Sequence, residues 1–257
     1  MIVFLHIPKT AGSTFQFILE NTFGLSACHT NHAKRPVFRQ EDFVFAQKFF
    51  PQMKSLAGHN LRDPLALDLP GAFHVTFLRE PVARVFSHYQ DHLLSGNRLS
   101  FEEFLGSEAC QDNLHVQLMA GEPNLEKAKG YLERCGFVGL TEKFDLSLRM
   151  LEKLSPMPLN LNYKRRRTAP SNTLRRTLES DPRKVELARQ HNQLDLALYD
   201  FAVREIFPKF CAQAGFTPDS EVASFDTYTS DRHWRYRLCH LYNLIFYRQL
   251  GKLRRRK

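Results

Sequence analysis

Nothing at the N-terminus reads as a signal peptide or a membrane span: the apolar run Ile2 to Ile7 is short, contains His6 and has no charged segment before it. A cytoplasmic protein is expected. There is no CxxC pair and no Cys/His cluster at zinc-site spacing, and the five cysteines, Cys28, Cys110, Cys135, Cys211 and Cys239, are odd in number and far apart. A disulfide scaffold and a zinc module are thereby excluded, and the thiols read as reduced and mostly buried. No repeat, low-complexity tract or Gly/Ser linker interrupts the chain, so residues 1–257 are expected to form a single domain. A general excess of positive charge is missing too, although the formal net charge is +9. Residues 231–257 hold nine Lys/Arg and one acidic residue, which leaves 27 basic and 26 acidic residues in the remainder.

What is present is the composition of a folded enzyme-sized protein, 43% hydrophobic and 25% charged over 257 residues. Such a chain buries about 70% of its unfolded surface without metal or disulfide staples. Ile2-Val-Phe-Leu-His-Ile7 has the continuous apolar pattern of a strand covered on both faces. A turn at Pro8 to Gly12 leads into a helical pattern from Ser13, with Phe15, Ile18 and Leu19 on one face and Ser13 available as a cap. The same order recurs at Ala72 to Leu78, where Pro81 suits a first helical position ahead of Val82, Val85, Phe86 and Tyr89. A third strand is expected at Gly136 to Leu140, running into a helix from Thr141 to Leu154. Further helices are expected near 101–104, 111–120 and 125–134, over 181–213, and as a basic C-terminal helix at about 231–257. Strands alternating with helices predict a three-layer α/β fold around a parallel sheet.

Two strand ends carry anion-binding chemistry. Pro8-Lys-Thr-Ala-Gly-Ser-Thr14 offers loop amides, a helix N-terminus, the Lys9 ammonium and two hydroxyls to a phosphate. Spacing alone is equally met by an ordinary strand-to-helix turn with a surface lysine. The nucleotide-triphosphate pattern G-x-x-x-x-G-K-[ST] is absent, since Lys9 precedes Gly12. At the second strand end, Arg79 is followed by Glu80, with which it could simply pair, and by Ser87 two helical turns further on. Two such sites imply a ligand with two separate phosphate groups.

Residues His6-Ile-Pro-Lys-Thr-Ala-Gly-Ser-Thr14 resemble the 5′-phosphosulfate loop of the carbohydrate sulfotransferases, in the branch of the heparan sulfate 2-O- and 6-O-sulfotransferases and bacterial relatives. Phe77-Leu-Arg-Glu-Pro-Val-Ala-Arg-Val-Phe-Ser-His-Tyr89 resembles the same family's 3′-phosphate motif, LR-[DE]-P-x-x-R-x-x-S-x-[YW], and Gly139 to Leu148 also resembles a stretch of that family. The resemblance implies a P-loop-like α/β fold and the donor 3′-phosphoadenosine 5′-phosphosulfate (PAPS), with no metal requirement. It implies Lys9 at the leaving oxygen and Thr10, Ala11, Gly12, Ser13 and Thr14 around the 5′-phosphosulfate. Arg79 and Ser87 would hold the 3′-phosphate, and Ser87 would also restrain Lys9. An alcohol acceptor needs a general base. His59, in Leu56-Ala-Gly-His-Asn60, is preferred because it ends an apolar stretch and the family places a Gly-His element there; His6, His74 and His88 are the alternatives. Arg165 and Arg167, in the cationic loop 164–167, are expected to close over the 3′-phosphate.

The expected function is transfer of a sulfuryl group to a hydroxyl of a saccharide, glycoconjugate or small metabolite, with acceptor choice in residues 30–51 and 95–122. The competing readings are a P-loop nucleotide kinase or phosphotransferase and a non-enzymatic binder of anionic surfaces. Nucleic acid is not an expected partner, because the chain before the tail has net charge +1. The tail reads either as a helix packed on the domain with a solvated basic end or as a peripheral membrane contact.

Overall fold

A computed structural model describes residues 1–33, 36–163, 173–225 and 234–248. Its centre is a five-stranded parallel sheet of β1 (Ile2–Leu5), β2 (Ala27–His29), β3 (Ser55–Gly58), β4 (Phe73–Leu78) and β5 (Phe137–Leu140), in the order β2-β3-β1-β4-β5. All four residues of β1 are fully buried, as expected of a strand with parallel neighbours on both edges and helices on both faces. The α/β expectation is met, and three of the five strands lie where the apolar runs placed them. β2 and β3 were not expected: three and four residues long, they become strands by pairing with β1 and with each other rather than by composition.

Register carries the architecture to the site. Leu5 of β1 lies opposite Gly58 of β3 and Thr76 of β4, so His6, His59 and the end of β4 emerge on the same side of the sheet. The described helices are α1 (Gly12–Phe23), α2 (Gln40–Gln47), α3 (Pro81–Leu94), α4 (Phe101–Leu105), α5 (Leu114–Ala120), α6 (Leu125–Arg134), α7 (Phe144–Leu154), α8 (Thr173–Glu179), α9 (Pro182–Gln190), α10 (Gln193–Phe201), α11 (Phe207–Ala214) and α12 (Trp234–Tyr242). The stretch expected as helix over 181–213 is interrupted at His191 and Asn192 and carries a π-helical turn at Ala202–Ile206. Residues 141–143 form a 3-10 turn before α7 begins. A side chain caps α3, but it belongs to Glu80, which accepts from the amides of Val82 and Ala83 while Pro81 opens the helix. All five cysteines are free and buried.

One buried polar cluster lies behind α3. Arg84 is fully buried, and among the described residues no hydrogen-bond acceptor meets its three guanidinium nitrogens. The nearest compensation is the field of Asp195, whose carboxylate takes the amides of His115 and Val116 at 2.9 Å and so caps α5. Burial raises the Asp195 carboxyl to about 6, partly offset by Arg84 and the two amides. Burial also lowers His74, and burial together with Arg84 holds His115 well below its ordinary range.

These shifts fix the acid response. Unfolded imidazoles take up protons near pH 6.5, whereas the folded chain keeps His74, His115 and, at the cavity wall, His88 neutral to lower pH. The unfolded state binds more protons in that window, so acidification from pH 6.5 downward removes stability; Asp195, protonated near pH 6 in the folded chain, opposes this with one proton. Urea unfolding is expected to show a loss of about 2 kcal/mol or more between pH 7 and pH 5. An unchanged urea midpoint would mean that these imidazoles are not held neutral.

Candidate functional site

Between β1 and α1 the backbone does something only a constrained loop does. Lys9 and Ala11 both adopt left-handed conformations, with φ of 69° and 61°. Alternation of this kind turns successive amides toward one side, which makes a concave anion cradle, and each non-glycine residue so placed costs about 1–3 kcal/mol. The loop is held from beneath: the Thr10 hydroxyl is buried and donates to the Ile7 carbonyl at 2.9 Å. Ala11, not Ser13, occupies the N-cap of α1 and provides no side-chain cap. Its carbonyl accepts the Thr14 and Phe15 amides, which leaves the Gly12 and Ser13 amides at the loop's mouth.

Gly12 is required by what lies under it. A Cβ at this position would overlap the His6 ring. His6 is 4% exposed, and its Nδ1 donates to Gln16 Oε1 at 3.1 Å, while Gln16 Nε2 donates to Glu20 at 2.8 Å. The Glu20 carboxylate fixes the orientation of the Gln16 amide, and the amide fixes the His6 tautomer, with the proton on Nδ1.

His59 stands beside it, with ring centroids 3.8 Å apart. The His59 Nδ1 donates to the His6 carbonyl at 2.7 Å, a partner that can only accept, so Nε2 carries the lone pair. Asn31 accepts the His59 amide at 2.9 Å. Gly58 permits this arrangement, because a Cβ there would run into Thr30 and Asn31. Thr30 is itself bonded to Asn60 and to the Ala57 carbonyl, so the Gly-His-Asn run is clamped on both sides.

Across the cavity, Arg79 does not pair with Glu80, which is engaged in capping. Its Nη1 donates to the Lys9 carbonyl at 3.1 Å and so ties the end of β4 to the anion loop. Burial lowers the Arg79 pKa, opposed by Glu142 and reinforced by the neighbouring Arg175. The Lys9 ammonium forms an ion pair with Asp91 at 3.3 Å, one helical turn beyond Ser87.

These groups line one cavity of about 580 Å³, within the roughly 300–1,000 Å³ of small-molecule sites. Lys9, Ala11, Gly12, Ser13, Thr14, His59, Arg79 and Ser87 all face it; Thr10 does not line it, being fully buried with its side chain turned inward to the Ile7 carbonyl. Arg165 and Arg167 lie outside the described residues. Of the alternative histidines, His6 and His88 reach the cavity wall, whereas His74 packs against Tyr131 with ring centroids 6.0 Å apart. His88 is pushed down to about 4 by burial, then by Arg84 and Lys9, so it is a neutral imidazole at neutral pH.

Sequence reasoning missed Asp91, Glu142 and Arg175. Asp91 had a signal, lying four residues after Ser87 on a predicted helix. Arg175 follows the cationic loop closely, but nothing in its spacing points to Arg79.

The sulfotransferase family model matches residues 1–202. The chain belongs to the sulfotransferase family. One solved structure of a sulfotransferase, from Alicyclobacillus acidocaldarius, aligns at 14% identity with a TM-score of 0.41, covering 77% of this chain and 98% of that one. No curated protein matches the chain. Every residue lining the cavity lies within the matched span, and α12 lies beyond it.

Two substitutions separate strain from space in the loop. Ala11→Gly relieves a left-handed alanine and is expected to raise the unfolding free energy by about 1 kcal/mol. Gly12→Ala, by contrast, forces the loop off His6 and should abolish activity and destabilise the chain by more than about 2 kcal/mol. Urea denaturation of both variants checks this; a Gly12→Ala protein as stable as the parent would remove the packing argument.

Proposed function

We propose that this sulfotransferase moves a sulfuryl group from PAPS to a hydroxyl of a saccharide, glycoconjugate or small metabolite, acting as a single cytoplasmic domain with His59 as general base. The observation that carries the proposal is the convergence on one cavity of two cationic ends, the Lys9–Thr14 cradle and the Arg79/Arg175 pair, with an imidazole whose tautomer suits proton abstraction.

Each residue's role follows from its chemistry. Displacement at sulfur develops negative charge on the oxygen that leaves with the nucleotide, and a positioned cation stabilises it more in the transition state than in the ground state. Lys9, a compact charge on a flexible stem, is placed to supply that cation. Asp91 pairs with the ammonium at 3.3 Å, so donor binding exchanges a carboxylate partner for the anionic ligand. The Gly12 and Ser13 amides with the Ser13 and Thr14 hydroxyls hold the 5′ end. Arg79, Ser87 and Arg175 hold the 3′-phosphate, together with Arg165 and Arg167 of the cationic loop. His59 Nε2 accepts the acceptor's proton while Nδ1 remains committed to the His6 carbonyl, which fixes the ring as it charges.

The His59→Ala variant is expected to lose at least about 10²-fold in turnover while binding 3′,5′-adenosine bisphosphate within twofold of the parent, since a positioned base contributes about 10²–10⁴. Lys9→Ala should lose turnover by a similar factor. Radiolabelled sulfate transfer to a panel of hydroxyl acceptors reads both. Near-normal turnover in His59→Ala would overturn the base assignment. Thermal stabilisation by ATP with magnesium but not by the bisphosphate would return the protein to nucleotide phosphotransfer.

A further inference from the structure

Helix α12 is apolar on two opposite sides. Its inner side is accounted for. Tyr236 packs on Phe17 of α1 with ring centroids 4.9 Å apart, Cys239 is buried and lies 3.5 Å from the Ala27 carbonyl, and Tyr242 donates to the Phe49 carbonyl at 2.9 Å. Asn243, just beyond, accepts from the His29 amide at 3.4 Å. The outer side is Trp234, Leu238, Leu241 and Ile245, exposed by 60%, 45%, 50% and 48%. Their spacing of four, three and four residues puts them in one narrow stripe along the helix and the π-helical turn Asn243–Tyr247 that continues it. Leu25, in the 3-10 turn that packs against α12, is exposed by 52%. Four large apolar side chains in line on a solvent face are the mark of a surface that meets something.

Charge identifies the partner. The stretch 231–257 that contains the stripe has nine cations and one acidic residue, among them Arg235 and Arg237 on the helix itself and the run Arg254-Arg-Arg-Lys257. A second copy of the same helix would bring two such cationic stretches together. An apolar stripe ending in a tryptophan and joined to a polybasic run instead matches the boundary of an anionic bilayer, where the stripe enters the acyl region and the cations meet headgroups. No described helix is long and apolar enough to cross a membrane, so the contact is peripheral. Contacts along α12 pass from the end of α1 at Thr22 to His29 at the carboxyl end of β2, so the helix runs toward the face that holds the active-site cavity.

We infer that α12 docks the enzyme on an anionic lipid surface through Trp234, Leu238, Leu241 and Ile245, with the basic run 248–257 supplying the electrostatic attraction. The inference does not depend on the donor or base assignments.

Trp234 is the sole tryptophan, so its emission reports the stripe directly. With the full chain, vesicles of phosphatidylcholine containing about a third phosphatidylglycerol are expected to shift the emission to the blue and to co-sediment the protein, with pure phosphatidylcholine and high salt doing so far less. The double variant Leu238→Glu, Ile245→Glu, and separately a variant with Arg254, Arg255, Arg256 and Lys257 all changed to Gln, should each lose binding by about tenfold or more. Thermal midpoints equal to the parent's show that the variants are folded, Leu238 and Ile245 being solvent-exposed. Vesicle binding unchanged in the double variant, or no binding by the parent, overturns the inference. So does a dimer in light scattering that the double variant dissolves, or binding to a soluble sulfated polysaccharide without binding to vesicles.

Discussion

The alignment of β1 against β3 is the constraint on which the site depends. Leu5 faces Gly58 across a parallel ladder, and the next residue of each strand is a histidine. The ladder's last bond, from the His6 amide to the Gly58 carbonyl at 3.3 Å, hands over directly to the bond from His59 Nδ1 to the His6 carbonyl at 2.7 Å. A one-residue slip would send His59 to the opposite face of the sheet and place a side chain where Gly58 must admit Thr30 and Asn31. Register is fixed in turn by burial: β1 and β3 have no exposed residue, so no alternative pairing keeps the same side chains dry. The placing of the two histidines and the packing of the core are therefore one requirement.

The charge arrangement around α3 serves the same end from behind. Arg84 is the largest polar group in the core, and its cost is met only in part by Asp195. Its field is felt one helical turn away, where it joins Lys9 in suppressing protonation of His88. A buried cation there adds to the positive potential at the cavity wall without consuming a site-facing side chain. It also keeps His88 a neutral imidazole at this wall.

What could be read in the sequence was what the chain encodes locally. β1, β4 and β5 are apolar on both faces and stand out as runs; α1 and α3 have regular apolar faces; the anion loop and Arg79 are set by their place at strand ends. β2 and β3 could not be read, because Ala-Cys-His and Ser-Leu-Ala-Gly have no strand propensity of their own; β3 becomes a strand against β1, and β2 against β3. Ser13 was a sound cap by type, but the loop's left-handed turn at Ala11 puts the cap two residues sooner. Arg79 looked ready to pair with its neighbour Glu80, and only the fold shows that the capping requirement of α3 claims that carboxylate first. The Gln16–Glu20 support of His6 was present as an i, i+4 pair, yet its meaning depends on β1 lying beneath α1.

Among the described residues the lining of the cavity is balanced in charge, and this bears on how it would receive an anion. Among the described residues three cations line it, Lys9, Arg79 and Arg175, and so do three carboxylates, Asp91, Glu142 and Asp145. Lys9 is paired with Asp91, Glu142 acts on Arg79, and Asp145 is occupied by the hydroxyls of Tyr163 and Ser224. An anion entering such a site gains little from net charge; it must offer better geometry to each cation than the carboxylate already present. Selectivity then comes from the spacing of the two cationic ends, which an extended polyanion with evenly distributed charge does not match. The positive excess of the chain lies elsewhere, after residue 230, where no comparable set of acidic partners exists. Local balance at the cavity and imbalance at α12 thus divide the two tasks of charge, discrimination in one place and attraction in the other.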